Sequence, residues 1–371
     1  MSEYLKSFKI RGREMRFPIY LPDATRAVTR GLDAKDLESV GIEALVVNTY
    51  HLMRDPGMEL IRKAGGVQKF MRWNGFAVSD SGGFQLLSLI YEGKVQGRVE
   101  DAGAVFYEGV HRKKRRMFTP EQSVQVQFDL GTDIVVCFDD CMYVSDDRAL
   151  YERAVRRTVE WAKQCKEEFE KQIAVRGVPD SERPLLLAVN QGGLFPDLRE
   201  RCGRELADIG FDGYGWGGWS IDPKTKKLDM GIAKIIADTM PDNKPKFALG
   251  VGTPNDIATC FGLGYTIFDC VLPTRDARHQ RLYVFPKDPA TIDWKAGESV
   301  CEYLHLEKER YTSDFAPISE WCDCPACTEY SRAYLHHLFR IKETLAFRLA
   351  TMHNLRTYTK LIGLLRKSLE A

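Results

Sequence analysis

The chain has 371 residues, enough for one large domain or two modest ones, and its hydrophobic content of 44% is typical of a folded protein. Its formal net charge of +1 provides no general attraction for nucleic acid or anionic membranes, so a polyanionic partner would have to bind local basic patches. No segment approaches the ~20 apolar residues of a membrane span, and residues 1–12 lack the apolar centre of a signal peptide.

Short apolar segments rich in β-branched residues predict strands through the first three-quarters of the chain. In chain order they are 42–48, 76–80, 134–140, 185–191, 211–218, 246–252 and 266–271, with 18–22 as a candidate eighth. Helical patterns follow Thr119 and occupy 147–175, 195–209, 229–239 and 254–263, and a long helical stretch spans 329–350. Thr119, Pro120 and Gln122 have the spacing of an N-cap, a first-turn proline and a capping-box partner.

Alternation of strands with helices predicts an α/β fold. Because the strands are apolar on both faces, they suit a buried parallel sheet, and about eight units favour a (β/α)8 TIM barrel with inserted elements. An open doubly wound sheet is the alternative, although no G-x-G-x-x-G motif follows a first strand. We expect residues 1–300 to form the barrel domain and residues 301–371 to form a zinc-binding helical subdomain packed on it.

A cysteine cluster supports that C-terminal prediction. Cys322, Cys324 and Cys327 lie within six residues, and His353 follows a stretch of helical character. Three thiolates and one imidazole fill a tetrahedral Zn²⁺ shell and leave no open position, which is typical of a structural site. The alternative is three reduced thiols and an unrelated histidine. The other cysteines are scattered and mostly lie in apolar segments, which favours a reducing, cytoplasmic location.

Polar residues and glycines end the predicted strands. They are Asn48, Asp80, Asp139, Gln191, Gly217, Gly218, Gly250 and Asp269. In a TIM barrel the carboxyl ends of the strands form the face that carries the active site. Since so many polar residues at equivalent positions are hard to explain by packing, the sequence predicts a binding pocket there.

The residue types at these ends suggest glycosyl transfer on a planar base. Asp80 and Asp269 suit double displacement, in which one carboxylate attacks the anomeric carbon and the other moves protons. Asp139 and Gln191 together can read the donor and acceptor edge of a guanine-like base, and Phe84 can stack on its ring. Taken singly, each could instead be a cap or part of a hydrogen-bond network.

Two basic segments could bind phosphate groups. One contains Arg275, Arg278 and Arg281, and the other spans 111–116, which could instead be a solvated turn. A metal-dependent hydrolase is less consistent with the sequence, because His51 is the only histidine at the predicted strand ends.

These motifs, in this order, resemble the tRNA-guanine transglycosylases, or queuine tRNA-ribosyltransferases, of the bacterial branch. The resemblance runs from about Arg13 to the C-terminus and is more specific than any single motif. The matching segments are N-T-Y-H-L (48–52), D-S-G-G-F-Q (80–85), F-D-D-C (138–141), Q-G-G (191–193), G-G-W-S (217–220), G-V-G-T-P (250–254), F-D-C-V-L-P-T-R (268–275), C-x-C-x2-C (322–327), R-A-Y-L-H-H-L (332–338) and H-N-L (353–355).

The resemblance implies a pentosyltransferase that acts on tRNA. Asp269 would be the nucleophile that takes ribose C1′ and displaces the wobble guanine of G-U-N anticodons, and Asp80 the general acid/base. The anticodon would be read as an unpaired loop with the target base extruded. The resemblance implies that the base is bound by Phe84, Asp139, Cys141, Gln191, Gly217, Gly218, Trp219 and Leu249. It implies that the RNA is contacted by Arg275, Arg278 and Arg281.

One segment departs from the bacterial pattern. Trp219 stands where a smaller aliphatic residue is usual, and the acid expected shortly afterwards is either absent, with Pro223 in its place, or is Asp222 after a one-residue deletion. This segment lines the pocket for the 7-substituent of the incoming base. Cys141 favours the small 7-aminomethyl-7-deazaguanine, and queuine is the alternative.

The resemblance also implies a homodimer, formed through Tyr330, Tyr334, His337 and Leu338 beside the zinc site. The eukaryotic branch contains a non-catalytic tRNA-binding subunit of the same fold, which is a further alternative. Such a subunit should lack one of the two acids, whereas this chain has both Asp80 and Asp269.

Overall fold

A computed structural model describes residues 5–108, 114–142, 145–218, 221–222, 224–225 and 227–370. The strands in this part of the chain are β1 (Ser7–Ile10), β2 (Arg13–Arg16), β3 (Ile19–Pro22), β4 (Ala44–Val47), β5 (Phe76–Ser79), β6 (Gly97–Glu100), β7 (Gly103–Glu108), β8 (Lys114–Phe118), β9 (Ile134–Val136), β10 (Leu185–Asn190), β11 (Gly213–Trp216), β12 (Lys246–Ala248), β13 (Ile267–Cys270), β14 (Arg281–Val284) and β15 (Glu302–His305).

Helices connect most of these strands. They are α1 (Ala34–Ser39), α2 (Thr49–Leu52), α3 (Met58–Ala64), α4 (Val67–Met71), α5 (Gly83–Tyr91), α6 (Pro120–Leu130), α7 (Arg148–Arg176), α8 (Pro196–Ile209), α9 (Met230–Thr239), α10 (Pro254–Gly262), α11 (Leu272–Arg278), α12 (Pro325–Thr328), α13 (Arg332–Arg340) and α14 (Thr344–Lys367). The predicted capping box of Thr119 and Gln122 is present at the start of α6. No helix among the described residues is long and apolar enough to cross a membrane.

Eight strands form one parallel sheet in the order β3-β13-β12-β11-β10-β9-β5-β4. The two ends of this order meet just beyond β3, where Asp23 forms a parallel bridge with Val46 and the Ala24 amide donates to the Val46 carbonyl at 2.8 Å. The sheet therefore curves round into a nearly closed (β/α)8 barrel. This confirms the predicted fold class, includes the candidate strand at 18–22, and rules out the open sheet.

Strand parity sets what lines the barrel. Ile19 and Leu21 of β3 belong to the buried cluster inside the barrel, whereas Tyr20 packs outward in the cluster shared with the helices. Phe76 and Val78 of β5 face inward in the same way. The same alternation continues at the carboxyl ends of the strands, where the next inward-facing residues are polar. They are Asp23, Asn48, Asp80, Gln191 and Asp269. A polar layer thus covers the apolar interior at the carboxyl end of the barrel.

Some predicted elements differ from the structure. The helical stretch predicted at 329–350 is wrong as one helix, because α13 ends at Arg340, Lys342 adopts a left-handed φ of 58°, and Glu343 caps the start of α14. The antiparallel sheet β6-β7-β8 was not predicted, and it forms part of the inserted material between β5 and α6.

The long helix α14 joins the C-terminal region to the barrel. Its first half packs Ala346 and Leu349 into a separate core with the cysteine cluster, while its second half packs Leu355 and Leu361 into the main core. The Tyr358 hydroxyl donates to the Gly252 carbonyl, at the strand-end loop after β12, at 2.5 Å. The cysteine cluster and the carboxyl face of the barrel are therefore connected through one helix.

Candidate active site

Asp80 lies directly after β5 and is held by the neighbouring strand end. The Thr49 and Gly82 amides both donate to Oδ1 at 3.0 Å, and the Asn48 side chain donates to Oδ2 at 2.5 Å. Burial raises the pKa of Asp80 to about 6, although these hydrogen bonds oppose the shift. A carboxyl group with a pKa near the working pH is suited to both accepting and donating a proton.

Asp269 is the third residue of β13 and faces the same end of the barrel. The Gly250 amide, from the loop after β12, donates to its Oδ1 at 2.8 Å. Burial, with a smaller contribution from the Asp23 and Asp80 carboxylates, raises the pKa of Asp269 to about 7. The structure therefore brings the two predicted acids close enough together to interact electrostatically.

A second group of predicted residues forms a compact polar cluster. The Gln191 side chain donates to Asp139 Oδ2 at 2.6 Å, and both side chains are nearly fully buried. Gly218 has a φ of 71°, and a Cβ there would meet Gln191 Oε1 at 2.9 Å and Cys141 Sγ at 3.8 Å. A Cβ on Gly217 would meet Gln191 Nε2 at 2.5 Å. Glycine at both positions thus lets the backbone after β11 approach this cluster closely.

Arg199 is a residue of this region that sequence reasoning missed. It is fully buried, and its guanidinium donates to the carbonyls of Gly193, Asn190 and Gly217 at 2.9, 2.7 and 2.8 Å. Burial lowers its pKa to about 10, so it remains charged at neutral pH. Arg199 therefore ties the ends of β10 and β11 together and fixes Gln191 and Gly217 relative to each other. Nothing in the sequence distinguished it from the other arginines of α8.

The two residues expected to stack on a base lie at the barrel mouth. Phe84 is in the first turn of α5, four residues after Asp80, and is 42% exposed. Leu249 follows β12 and packs against Gly215, where a Cβ would come within 2.6 Å of it. Trp219 and Pro223 lie outside the described residues. The Asp222 carboxylate accepts from the Lys224 and Thr225 amides at 2.7 and 2.9 Å, which closes a local turn.

The arginines expected to contact RNA differ in their surroundings. Arg275 is exposed in the last turn of α11, and half-buried Arg278 donates to the Thr274 carbonyl at 2.8 Å. Arg281 pairs with Asp276 at 2.6 Å and lies over the Tyr303 ring, so its guanidinium is already engaged. In the other basic segment, residues 111–113 lie outside the described residues and 114–116 are exposed in β8.

The four predicted metal ligands converge in the C-terminal core. The ligand atoms of Cys322, Cys324, Cys327 and His353 all lie within 4.8 Å of one another. His353 Nδ1 is 3.2 Å from Cys327 Sγ and 3.6 Å from Cys324 Sγ. Tetrahedral zinc with thiolate and imidazole ligands gives ligand separations of about 3.5 Å. The cluster can therefore hold a metal ion, and its donor set fits zinc.

The hydrogen bonding around His353 also suits a metal ligand. Its Nε2 lies 2.7 Å from the Tyr283 carbonyl, so Nε2 carries the proton and the lone pair of Nδ1 faces the thiols. The ring is fully buried in the middle of α14. The imidazole is thus already oriented by the barrel-side strand β14.

Because the pKa values of Asp80 and Asp269 are raised in the folded protein, we expect its stability to fall as pH rises. The folded state holds protons on Asp80 and Asp269 up to about pH 6–7, whereas the unfolded chain releases them near pH 4. Stability from these groups is therefore present at low pH and is lost as pH rises from about 4 to 7. We expect Asp269→Asn to gain roughly 1–2 kcal/mol over the natural chain at pH 8 and almost none at pH 4. Calorimetric melts at both pH values measure this, and an equal or lower stability at pH 8 would contradict it.

The fold and the site define a class: a TIM-barrel enzyme whose mouth presents two interacting carboxyl groups and a buried carboxylate–amide pair. A family model described as "Queuine tRNA-ribosyltransferase" matches residues 5–371. The chain therefore belongs to the queuine tRNA-ribosyltransferase family, whose members are tRNA-guanine transglycosylases and hence pentosyltransferases.

Bacterial relatives support the same assignment. A protein named queuine tRNA-ribosyltransferase from Syntrophobacter fumaroxidans is 36% identical over 95% of this chain and 87% of its own length. Proteins with the same name from Caldanaerobacter subterraneus and Nitratidesulfovibrio vulgaris are each 37% identical, over 95% and 96% of this chain and 86% and 88% of their own lengths. The resemblance read from the motifs is thus confirmed.

Proposed function

We propose that this chain exchanges the wobble guanine of tRNAs with G-U-N anticodons for a 7-deazaguanine, through a covalent aspartyl–ribose intermediate. The observation that carries the proposal is the position of Asp80 and Asp269 on the inner rim of the barrel, next to the pocket of Asp139 and Gln191. A sugar between the two acids would have its base directed at that pocket. Family membership supports the same reaction class.

The chemistry follows from these positions. Asp269 attacks ribose C1′, so that a C1′–O bond forms while the C1′–N bond to guanine breaks. Asp80 donates a proton to the departing base. In the second displacement Asp80 takes a proton from the incoming base, whose nitrogen bonds to C1′ and releases Asp269. Because the transition state is cationic at the sugar, a carboxylate is a sufficient nucleophile.

The base pocket can read the edge of a guanine-like ring. Asp139 and Gln191 supply acceptor and donor groups, and the backbone at Gly218 adds further polar groups. Phe84 and Leu249 would cover the two ring faces. Burial raises the pKa of Asp139 to about 7, and a base that donates to this carboxylate would favour its ionised form.

The incoming base is proposed to be 7-aminomethyl-7-deazaguanine rather than queuine. Cys141 is buried beside Gly218, which leaves little room for a bulky 7-substituent. The decisive experiment presents an unmodified G-U-N tRNA with labelled guanine and then with each candidate base in competition. No exchange of guanine would refute the reaction, and preferential incorporation of queuine would refute only the choice of base.

Arg275 and Arg278 are proposed to contact the anticodon segment beside the target base. Both follow β13, which carries Asp269, and neither makes an ion pair as close as the 2.6 Å pair of Arg281. Phosphate contacts of this kind add affinity that falls with salt. Arg281 is the weakest of the three proposed contacts, because Asp276 already binds its guanidinium.

The cysteine cluster is proposed to hold structural zinc, with residues 301–371 as the zinc-binding subdomain. A neighbouring surface supports a homodimer. Tyr330 and Tyr334 stack at 5.3 Å, and Phe315 and Ile341 are 81% and 58% exposed. Leu338, also expected at the interface, is buried in the core of the single chain. Phe315, Tyr330 and Tyr334 line one surface cavity, and exposed apolar groups that share a surface are typical of protein interfaces.

We expect Tyr334→Ala to shift the protein from dimer towards monomer and to weaken association at least about tenfold, because exposed interface aromatics commonly contribute more than 1 kcal/mol. Sedimentation velocity over a range of concentrations measures the change. Phe70→Ala in α4 is a matched control, since Phe70 is 41% exposed but lies outside this surface. Monomeric natural protein, or equal association of both variants, would contradict the proposed interface.

A further inference from the structure

A third carboxylate, Asp23, lies at the barrel mouth and has no role in the reaction described above. It follows β3 directly, at the place where β3 and β4 close the barrel. On one side β3 pairs with β13, where Leu21 is opposite Asp269. On the other side the chain continues from β4 into Asn48, which binds Asp80. Asp23 therefore lies between β13, which carries Asp269, and the end of β4, whose Asn48 binds Asp80.

The Asp23 side chain faces the inside of the barrel mouth. It continues the inward parity of Ile19 and Leu21. Its negative charge contributes a rise to the pKa of Asp80, Asp269, His51 and Arg278, so these four groups lie near it. Asp23 is half-buried, so part of its surface remains open to a ligand.

One oxygen of Asp23 is available to a ligand. Oδ1 accepts from the Thr25 amide at 3.1 Å and from the Thr25 hydroxyl, which fixes the side chain in a local turn. Among the described residues, no hydrogen bond to Oδ2 is formed. The turn thus fixes the orientation of the carboxylate while its second oxygen remains free to accept a hydrogen bond.

The stereochemistry of the proposed reaction shows which group reaches that oxygen. Asp269 must attack C1′ from the face opposite the departing base, and in a ribonucleoside that face carries the 2′-hydroxyl. Within an RNA chain the 3′ and 5′ oxygens are esterified, so the 2′-hydroxyl is the free donor of the ribose. As C1′ becomes cationic, a hydrogen bond from the 2′-hydroxyl to a carboxylate strengthens.

We propose that Asp23 accepts a hydrogen bond from the 2′-hydroxyl of the target nucleotide and makes the reaction selective for ribose over deoxyribose. This inference rests on the proposed function, because it takes Asp269 as the group that attacks C1′. The 2′-hydroxyl is the group that distinguishes RNA from DNA at a given position. Asp23 would then determine specificity, while Asp80 and Asp269 carry out the bond exchange.

The test compares two anticodon stem-loop RNAs that differ only in a 2′-deoxy target guanosine, with kcat/KM measured for labelled guanine exchange. The natural chain should prefer the ribose substrate by about tenfold to a hundredfold, the range for a hydrogen bond to a charged group. In Asp23→Ala this preference should fall to within about threefold, chiefly through slower exchange of the ribose substrate. Asp23→Asn, which retains an acceptor for Thr25, should fold normally and also lose most of the preference.

Thr25→Val is the matched control, because it removes the hydroxyl from the turn but leaves the carboxylate. It should retain the preference of the natural chain. An unchanged ribose preference in folded Asp23→Ala or Asp23→Asn would overturn the inference, even if overall rates change. An equal loss of preference in Thr25→Val would also overturn it, since turn geometry would then be the cause. Failure of the natural chain to exchange guanine in either RNA would instead refute the proposed function.

Discussion

Asp269→Asn should lower guanine exchange by at least about a thousandfold, because the amide is a far weaker nucleophile than the carboxylate that we propose forms the sugar–enzyme bond. The amide is close in size to the carboxyl group and can still accept from the Gly250 amide, which reaches Asp269 Oδ1 at 2.8 Å. The strand end should therefore retain its shape. The second readout is the covalent RNA adduct, which should survive denaturation in the natural chain and be absent from the variant.

Asp238→Asn provides the matched control for that experiment. Asp238 is an exposed carboxylate of α9 that pairs with Lys234 at 2.7 Å, so the same substitution there should leave exchange unchanged. Asp80→Asn should also exchange slowly, because the departing base lacks its proton donor. Normal exchange by Asp269→Asn would remove the nucleophile assignment, and an adduct formed by that variant would assign the attack to another group.

Much of the barrel was predictable because parallel strands buried on both faces have a distinct pattern. Each predicted strand core is present, although the strands are shorter than the apolar segments, as with β9, which ends at Val136. The strand-end residues could be named for the same reason: a residue after a strand in a barrel falls on the carboxyl face. Asp80, Asp269, Asp139 and Gln191 all lie there.

What could not be predicted depends on contacts between distant parts of the chain. Arg199 looks like any arginine of an amphipathic helix, and only the packing of α8 on β10 and β11 buries it beneath three carbonyls. Asp23 follows a short strand, and its relation to Asp269 appears only when β3 pairs with β13. The helix break at Lys342 was missed because no proline or glycine marks it.

Loss of the proposed zinc ion from the cysteine cluster should have the second large effect, on the stability of the protein. Zinc removal, or Cys324→Ser, should destabilise the protein by at least about 3 kcal/mol and lower its melting temperature by roughly 5 °C or more. Without the ion, three thiols and an imidazole remain packed within 4.8 Å of one another in a buried core. Since α14 supplies His353 and also packs on the barrel, the loss should extend to the whole fold. Calorimetry measures the loss of stability, and mass spectrometry measures whether zinc is bound.

The control must separate the metal from the cost of changing any buried cysteine. Cys301 is buried outside the cluster and contacts the Glu302 carbonyl at 3.3 Å, so Cys301→Ser should retain zinc and lose less stability than Cys324→Ser. Guanine exchange at a temperature where the zinc-free protein is still folded should fall less than in Asp269→Asn, because we propose that the cluster supports the barrel through α14 and takes no part in bond exchange. Equal melting temperatures with and without zinc would refute a structural role.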